Sequence, residues 1–401
     1  MDCLIELYDH DQINNLAVVL SLRPKKVVFL YNQARHSRKK LDDLACACHR
    51  ILPNLEFDAQ PLTGASLEEI RDCCKLAIRR NPNCYVDVTG GGELAAIGAY
   101  LACVGSFTPI FRVDVERGLL YSAYGCKSME GPLPACGLTM DALLLAHGAA
   151  VGGYGHPTPD EASYSGLLSY CRAIFQDVPA WKELCSYLQA GCTAYPIEKK
   201  PLLFCAPLAM RGPGKPYVRL DKGSPQRKLL RLAARLGLLR NLQLGGQEIS
   251  FSFASTQVKR YLTDFGTFLE LFTYITLQQS GEYQDVRMSV KVDWNGMRHS
   301  MVEVTNEIDV TCFYGAHPIF ISCKLSEPSS DALQELSVYA SYFGGRRSRC
   351  VLVTLGNINK ERSYTYWRAK EMGITIIDGH SIRAGRFLSD MREALRPNEE
   401  E

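Results

Sequence analysis

The stretch TDFGTFLELFTYITLQQ, Thr263–Gln279, begins the segment of this 401-residue chain that decides its fold, and that segment ends at Lys324. Its apolar residues recur at intervals of three and four, a spacing that predicts an amphipathic helix. Thr263 or Asp264 is of the type that caps a helix at its N-terminus. Glu270 lies off the apolar stripe, so its carboxylate is available for chemistry.

Two strand patterns complete the segment. They read VTNEIDVTCFY over Val304–Tyr314 and HPIFISCK over His317–Lys324, with two residues between them. A connection that short predicts a β-hairpin. In a hairpin Asp309 and Lys324 lie close together, although they are fifteen residues apart in the sequence.

Carboxylates on a helix and a strand, with a lysine on the adjacent strand, suit metal-assisted cleavage of phosphodiesters. Carboxylate oxygens are the hard ligands that Mg²⁺ and Mn²⁺ prefer. A bound metal polarises the phosphate and lowers the pKa of the attacking water, while a lysine stabilises developing negative charge. Glu270 and Asp309 are therefore candidate metal ligands and catalytic residues, and Lys324 is a candidate catalytic residue.

The order of a helix with Glu270, a strand with Asp309, a strand ending at Lys324, then a helix and a strand resembles the PD-(D/E)xK superfamily of restriction-endonuclease-like nucleases. The resemblance implies a metal-dependent endonuclease with these residues at its centre. In that superfamily a second acidic residue stands two positions before the lysine. This chain has Ser322 there.

Three interpretations of Ser322 stay open. A carboxylate has migrated to the next predicted helix, Asp331–Phe343, where Glu335 is a further catalytic candidate. Alternatively the metal is held by the two carboxylates and a backbone carbonyl near Cys323, or the serine inactivates the enzyme. Glu307 is a reserve carboxylate in each case.

Composition limits the class of protein and its location. The chain has 46% hydrophobic and 22% charged residues, which is typical of a globular protein, and its length predicts two or three domains. A formal net charge of +2 gives no general attraction to nucleic acid. No apolar run approaches ~18 residues, and the N-terminus, MDCLIELYDH, lacks a signal-peptide pattern. Sixteen scattered cysteines without a CxxC pair fit a reducing cytoplasm, so we expect a cytoplasmic protein without membrane contact.

The N-terminal third alternates between strand and helix patterns, which predicts a doubly wound, mostly parallel α/β sheet. The predicted strands are Cys3–Tyr8, Lys26–Tyr31, Cys84–Thr89 and Ile110–Val115. The predicted helices are Gln12–Leu22, Ser37–Leu52, Leu67–Arg80 and Glu93–Val104. Such sheets bind ligands at the carboxyl ends of their strands, where a run of three glycines follows the third predicted strand. The glycines also fit a tight turn that binds nothing.

That run, DVTGGG before a helix, in a chain that ends in a nuclease-like segment, resembles the CARF domains of CRISPR-associated effectors. The resemblance covers residues 1–125 and implies a Rossmann-like, homodimeric sensor of cyclic oligoadenylate. The loops after three strands would supply the ligand contacts, with His36 or Arg38 as alternatives for the basic one. The implied contact residues are Asp9, His10, Gln12, Arg35, Thr89, Gly90, Gly91 and Gly92.

The middle of the chain predicts a connector that is helical or winged. Gly125–Gly137 is rich in glycine and proline and marks a boundary. Leu138–Ala150 has a helical pattern, Gly152–Pro159 indicates a break, and Ser224–Leu239 is typical of a basic amphipathic helix. The predicted strand Glu248–Ala254 leads into the nuclease-like segment. We therefore predict three domains, at residues 1–125, 126–247 and 248–401.

Together the resemblances imply a nonspecific nuclease of DNA, RNA or both in type III CRISPR antiviral defence. They imply Mn²⁺ or Mg²⁺ as cofactor and cyclic oligoadenylate, first of all cyclic tetra-adenylate, as allosteric activator. Two other functions stay open. In the first, the chain is a sensor that binds the activator without cleaving nucleic acid, and Ser322 is the main support for this alternative. In the second, the chain is a ring nuclease that degrades its own activator.

Overall fold

The computed structural model describes residues 1–62, 66–197, 199–211, 217–296 and 305–395. Its strands are β1 (Cys3–Leu7), β2 (Lys26–Asn32), β3 (Glu56–Leu62), β4 (Cys84–Asp87), β5 (Ile110–Asp114), β6 (Leu119–Tyr124), β7 (Gly131–Pro132), β8 (Ala150–Tyr154), β9 (Leu203–Pro207), β10 (Ala209–Arg211), β11 (Tyr217–Arg219), β12 (Leu239–Leu244), β13 (Glu248–Phe253), β14 (Gln284–Asp293), β15 (Thr305–Tyr314), β16 (His317–Lys324), β17 (Arg349–Thr354) and β18 (Ile374–Ile377). Its α-helices are α1 (Gln12–Leu22), α2 (Arg38–Ile51), α3 (Leu67–Arg80), α4 (Glu93–Ser106), α5 (Met140–Ala146), α6 (Tyr164–Gln176), α7 (Val178–Ala194), α8 (Pro225–Arg235), α9 (Thr256–Leu262), α10 (Thr267–Ser280), α11 (Ser330–Tyr339), α12 (Tyr364–Glu371), α13 (Gly379–Arg383) and α14 (Phe387–Ala394).

The N-terminal sheet has the strand order β3-β2-β1-β4-β5-β6-β7. Strands β1 to β5 are parallel, while β6 and β7 are antiparallel. β1 is buried along its whole length and β2 along most of its length, as expected of strands that helices cover on both faces. The chain order reverses between β1 and β4, so the carboxyl ends of these two strands form a switch point of the kind where ligands bind. The predicted Rossmann-like architecture is confirmed, and β3 is an additional strand.

Helices cover both faces of this sheet. α3 and α4 pack on one face, and α1, α2 and α5 pack on the other. The hydrophobic core on the second face does not end at the N-terminal domain. It continues through Leu143 of α5 to Phe343 and to Phe320 of β16, so the N-terminal and C-terminal sheets share one core.

The connector combines α6 and α7 with a helix-and-hairpin unit. α8 precedes the antiparallel β12–β13 hairpin, and β13 also pairs with β9. Arg227 of α8 is buried, and its guanidinium donates hydrogen bonds to the carbonyl oxygens of Leu220 and Gly245. At least this basic residue of α8 therefore stabilises the connector. The architecture agrees with a helical or winged unit.

The C-terminal sheet has the strand order β18-β17-β16-β15-β14-β8, with β15 and β16 as the predicted hairpin. The prediction of a break at Gly152–Pro159 is wrong for Gly152–Tyr154, because these residues lie in β8 and pair with β14. The preceding helix ends at Ala146, four residues before its predicted end, since Gly148 adopts a φ of 75° that stops the helix. The C-terminal sheet thus takes an edge strand from the predicted connector.

The helix of the deciding segment is shorter than predicted. α10 begins at Thr267, because α9 precedes it and has its C-terminal cap at Thr263. Neither predicted cap is correct, because the N-cap residue of α10 is Gly266, but Asp264 still supports the start of the helix. Its carboxylate accepts hydrogen bonds from the N–H groups of Gly266 and Thr267 at 2.9 and 3.0 Å.

Val304, which opens the first of the two predicted strands of the segment, lies outside the described residues. The limits given for the three domains stay a prediction. Among the residues with a described structure, no helix has both the length and the apolar character needed to cross a membrane.

Candidate functional site

Glu270 projects from the first turn of α10 and is mostly buried. Ser289 of β14 donates a hydrogen bond from its hydroxyl to Glu270 Oε2 at 3.0 Å. Burial and the nearby charge of Asp309 raise the pKa of Glu270 to about 8, and the hydrogen bond from Ser289 opposes that rise. The helix and the sheet therefore hold two acidic groups close enough to repel each other.

Asp309 lies on β15, opposite the end of β16. Its Oδ2 accepts hydrogen bonds from the backbone N–H of Cys323 at 2.6 Å and from Ser322 Oγ at 3.2 Å. Lys324 Nζ lies 3.5 Å from the same oxygen, and the lysine side chain is 38% exposed. The proximity predicted for Asp309 and Lys324 is confirmed, and the ammonium group lies where a phosphate from solvent can reach it.

Glu307 and Glu335, the other acidic candidates, line a small pocket beside Asp309. Its lining consists of Glu307, Ile308, Asp309, Ile321, Ser322, Glu335, Leu336 and Tyr339. Tyr339 Oη donates a hydrogen bond to Glu335 Oε1 at 3.2 Å, which orients the exposed carboxylate of Glu335. Ser322 and Glu335 therefore border the same space, although they lie on different elements.

The residues around Asp309 fit a hard divalent cation better than a soft one. Within the described residues, no group of three or more histidine, cysteine, aspartate and glutamate side chains is placed to hold a metal ion together. Two repelling carboxylates, Glu270 and Asp309, nevertheless fit Mg²⁺, which is commonly held by one or two carboxylates plus waters and a substrate phosphate. The Cys323 thiol is buried against Thr273 Oγ1 at 3.7 Å, so only the backbone of Cys323 remains as a ligand candidate.

Sequence reasoning missed the residues that hold the carboxylates from the side of β14 and β8. Ser289 is fully buried with a φ of 51°, a strained conformation for a residue with a side chain. Gly155, just after β8, donates its N–H to Ser289 O at 2.8 Å. A Cβ at Gly155 would lie only 2.3 Å from Glu307 Oε1, so the glycine leaves room for that carboxylate. The alternating apolar residues of β14, from Val286 to Val292, were the available signal for that strand.

The loops that follow β1 and β4 meet at the switch point of the N-terminal sheet. Gly90 packs so closely against the end of β1 that a Cβ would lie 2.9 Å from Asp9 Cβ. His10 is 85% exposed, and its Nδ1 lies 2.9 Å from Asp9 Oδ1. Gly91 and Gly92 are exposed, with φ values of 80° and 78° that favour glycine. These five residues therefore form one edge at the surface.

The loop after β2 adds a basic residue to this edge. The ring of His36 lies edge-on against Tyr8, with centroids 4.9 Å apart. Burial lowers the pKa of His36, which favours the neutral imidazole. The guanidinium of Arg38 donates to Ala59 O at 2.8 Å. Arg35 is exposed, so it is the basic candidate that the structure leaves best placed for a ligand.

Gln12 and Thr89 do not offer free polar side-chain atoms to a ligand, unlike the exposed His10 and Arg35. Gln12 is 4% exposed, and its amide donates to Tyr8 Oη at 2.6 Å. Thr89 Oγ1 donates to Asp87 Oδ1 at 2.5 Å and accepts from the N–H of Val113 at 2.8 Å. Because their polar atoms are already paired, both side chains hold the loops in position.

Ion pairs connect the N-terminal edge to the C-terminal domain. Asp11, the N-cap of α1, pairs with Arg347. Glu116, between β5 and β6, lies 3.3 Å from the guanidinium of Arg349 and 3.9 Å from Nε2 of His317. Arg347 ends a helical segment that continues α11, the helix that borders the acidic pocket.

Residues 256–396 match the family described as Card1-like, endonuclease domain. The match contains Glu270, Asp309 and Lys324, and it confirms the nuclease resemblance of the C-terminal part of the chain. No protein of curated function matches the chain in sequence.

Solved structures share the fold of nearly the whole chain. The chain is similar to protein VC1899 from Vibrio cholerae, with 16% identity, a TM-score of 0.74 and 99% of each chain covered. It is similar to Can2 from Sulfobacillus thermosulfidooxidans, solved in complex with cyclic tetra-adenylate, with 15% identity, a TM-score of 0.67 and coverage of 99% and 100%. A type III CRISPR defence DNA nuclease activated by cyclic oligoadenylate matches with 18% identity and a TM-score of 0.52, over 88% of this chain and 45% of that one. The predicted α/β fold class, with a Rossmann-like N-terminal domain of the CARF type and a nuclease-like C-terminal domain, is confirmed.

Proposed function

We propose that the chain is a metal-dependent, nonspecific nuclease of DNA, RNA or both that cyclic oligoadenylate activates in type III CRISPR antiviral defence, in the cytoplasm. The observation that carries this proposal is the convergence of Glu270, Asp309 and Lys324 within the Card1-like match. The solved complex of Can2 with cyclic tetra-adenylate supports that ring as the first activator to test.

The contacts of Glu270, Asp309 and Lys324 support a role for each residue in cleavage. Glu270 and Asp309 would hold Mn²⁺ or Mg²⁺, which when bound supplies charge stabilisation and an acidified water. Lys324 keeps its ammonium beside Asp309 and would stabilise negative charge that develops on the scissile phosphate. The N–H of Cys323 fixes one oxygen of Asp309 and leaves the other for a metal.

Glu335 supports the first interpretation of Ser322. Its carboxylate borders the same pocket as Asp309 and Ser322, and Tyr339 holds it in place. We therefore assign Glu335 as the carboxylate that takes the place of the expected acid at position 322. The two other interpretations, a backbone ligand at Cys323 and an inactive protein, are the outcomes that would replace it.

The activator is assigned to the edge formed by the loops after β1, β2 and β4. Exposed glycine backbone at Gly91 and Gly92 and the exposed side chains of His10 and Arg35 suit a ring of phosphates and bases. A two-fold dimer would double this edge. Helix α4, which follows the glycines, exposes Leu94 at 46% and Ile97 at 52%, an apolar face that dimerisation would cover.

The contact between the domains supports allosteric activation. Asp11 lies between the candidate activator residues His10 and Gln12, and it pairs with Arg347 of the C-terminal domain. The shared core includes Ile13, two residues after Asp11, and Phe343, four residues before Arg347. An activator that favours one position of the loop after β1 would therefore shift the segment that follows α11, and with it the border of the acidic pocket.

Cleavage assays on several nucleic acids test the proposal. Protein saturated with cyclic tetra-adenylate in Mn²⁺ is incubated with supercoiled plasmid, single-stranded DNA and RNA, beside a Ser322→Glu variant. We expect cleavage by the wild-type protein. If both proteins leave every substrate intact while the activator binds, the chain is a sensor without nuclease activity. Linear products from cyclic tetra-adenylate itself would instead identify a ring nuclease.

A further inference from the structure

Helix α12 presents large aromatic side chains to solvent in the C-terminal domain. Tyr364 is 70% exposed and Trp367 is 50% exposed. Residues three apart on a helix lie on the same face, so the two rings are neighbours on the surface. Tyr366 adds a third ring, edge-on to Trp367 at a centroid distance of 5.8 Å. We call Tyr364, Tyr366 and Trp367 the aromatic ledge.

Basic side chains surround the aromatic ledge. Lys360 Nζ lies 5.7 Å from the ring centroid of Tyr366, and Lys370 Nζ lies 5.5 Å from that of Trp367. Arg362 and Arg368 are exposed on the same segment. Residues 360–371 contain four basic and two acidic residues, so the ledge has a positive surplus in a chain whose overall charge is near neutral.

The aromatic ledge is fixed to the loop that leaves the candidate cleavage centre. Ser363 Oγ, at the N-cap of α12, donates to Glu327 Oε1 at 3.1 Å. Thr365 Oγ1 donates to Pro328 O at 3.4 Å. Because Glu327 is three residues after Lys324 and an extended residue spans at most about 3.6 Å, the Cα atoms of Glu327 and Lys324 lie within roughly 11 Å of each other.

We propose that the aromatic ledge is a binding subsite for a single-stranded nucleic acid, a proposal that rests on the nuclease function proposed above. Bases would stack on Tyr364 and Trp367, and Arg362 and Arg368 would contact the phosphates on either side. Unpaired bases offer a free face to an aromatic side chain, whereas bases inside a duplex are stacked on each other. The subsite would hold a strand beside Lys324 without reading its sequence.

A binding experiment on the full-length protein tests this subsite. The probe is a fluorescein-labelled 20-nucleotide oligo(dT), and all proteins carry Lys324→Ala so that the probe stays intact. We expect Trp367→Ala and Tyr364→Ala each to weaken binding roughly 5- to 150-fold, the range for loss of one base-stacking contact. Trp367→Phe should retain most of the affinity. The matched control is Tyr217→Ala, which removes a 62% exposed tyrosine from the connector.

Three results would overturn the assignment. These are unchanged affinity in Trp367→Ala and Tyr364→Ala, an equal loss in the Tyr217→Ala control, and an equal loss with a duplex probe of the same length. Thermal unfolding of each variant shows that its fold is intact. Cleavage by the protein with native Lys324 is scored separately. Cleavage without a contribution from the aromatic ledge contradicts the subsite alone, and binding at the ledge without any cleavage contradicts the proposed nuclease alone.

Discussion

Two pairs of acidic side chains on neighbouring elements can be compared, one within the N-terminal sheet and one between α10 and the C-terminal sheet. In the N-terminal sheet, Glu6 of β1 lies opposite Asp87 of β4, and both are at most 2% exposed. In the C-terminal domain, Glu270 of α10 lies near Asp309 of β15. Burial raises the pKa of both groups in the first pair, to about 7 for Asp87, and raises that of Glu270 to about 8.

The two pairs have different surroundings, and these indicate different roles. Asp87 accepts from Thr89, which in turn holds the N–H of Val113, so the first pair is closed in the core and positions the glycine loop. In the second pair, Asp309 lines a pocket and has the partly exposed ammonium of Lys324 beside it. A shifted pKa therefore does not distinguish a cleavage centre from a structural support, whereas access and a neighbouring cation do.

The largest effect that we expect is a difference in cleavage activity between substitutions in the two pairs. Asp309→Asn should lower activator-dependent cleavage about 10³-fold, because it removes a metal ligand and the partner of Lys324. Asp87→Asn should leave cleavage by activator-saturated protein within about threefold of wild type, since an amide oxygen still accepts from Thr89. Initial rates on a labelled single strand in Mn²⁺ measure both. Asp331→Asn, an exposed acid at the start of α11, is the control.

Glu335→Gln tests whether a third carboxylate acts together with Glu270 and Asp309. We expect cleavage to fall roughly 10- to 100-fold, the loss typical of a group that supports a metal ligand. Restoration of activity by Ser322→Glu in the Glu335→Gln background would show that the two positions exchange the same carboxylate. Full activity of Glu335→Gln would instead favour a backbone ligand at Cys323.

A smaller effect tests the link between the regions that contain the two pairs. Arg347→Ala should raise the activator concentration needed for half-maximal cleavage roughly 5- to 50-fold, as expected for loss of an allosteric coupling. Asp11→Asn keeps the helix cap but removes the charge, so it should have the same effect. A double variant no worse than either single one would confirm that they act through one contact. Additive losses would contradict that contact.

The smallest effect concerns stability and pH. The pKa values of Asp87 and Glu270 in the folded state lie above those in the unfolded state. The stability that these protonated carboxyl groups contribute is therefore complete below about pH 4 and is lost as the pH rises through 7 to 8. In chelated protein, Asp87→Asn and Glu270→Gln should therefore raise Tm relative to wild type by roughly 2–5 °C more at pH 8.5 than at pH 5. Added Mn²⁺ should remove this advantage for Glu270→Gln alone. Removal of it for Asp87→Asn would contradict a closed first pair.

Much of the fold around the two pairs was predictable from the sequence, and the predictions that failed did so for physical reasons. The hairpin that joins Asp309 to Lys324 follows from its two-residue turn, and the alternation of strands and helices gives the N-terminal sheet. The edge strand β8 was missed because glycines at 152 and 153 suppress the strand pattern while still allowing it to pair with β14. The contribution of Ser289 depends on a left-handed backbone inside a strand, which no local pattern predicts.

The ligand residues predicted for the N-terminal edge differ in how their side chains are placed. The resemblance places Gln12 and Thr89 among the contacts, yet their polar atoms are paired with Tyr8 and Asp87. The long-range contact of Asp11 with Arg347 spans most of the chain and leaves no signature in either local sequence. Only the packing of the two domains brings these residues together.

We propose that Glu270, Asp309 and Lys324 cut nucleic acid when the activator occupies the N-terminal edge. The most direct test measures cleavage of plasmid and single-stranded substrates in Mn²⁺, with and without cyclic tetra-adenylate, for the wild-type protein and Lys324→Ala. We predict cleavage that requires the activator and disappears in Lys324→Ala. Absence of cleavage by wild-type protein that has bound the activator, or undiminished cleavage by Lys324→Ala, would contradict it.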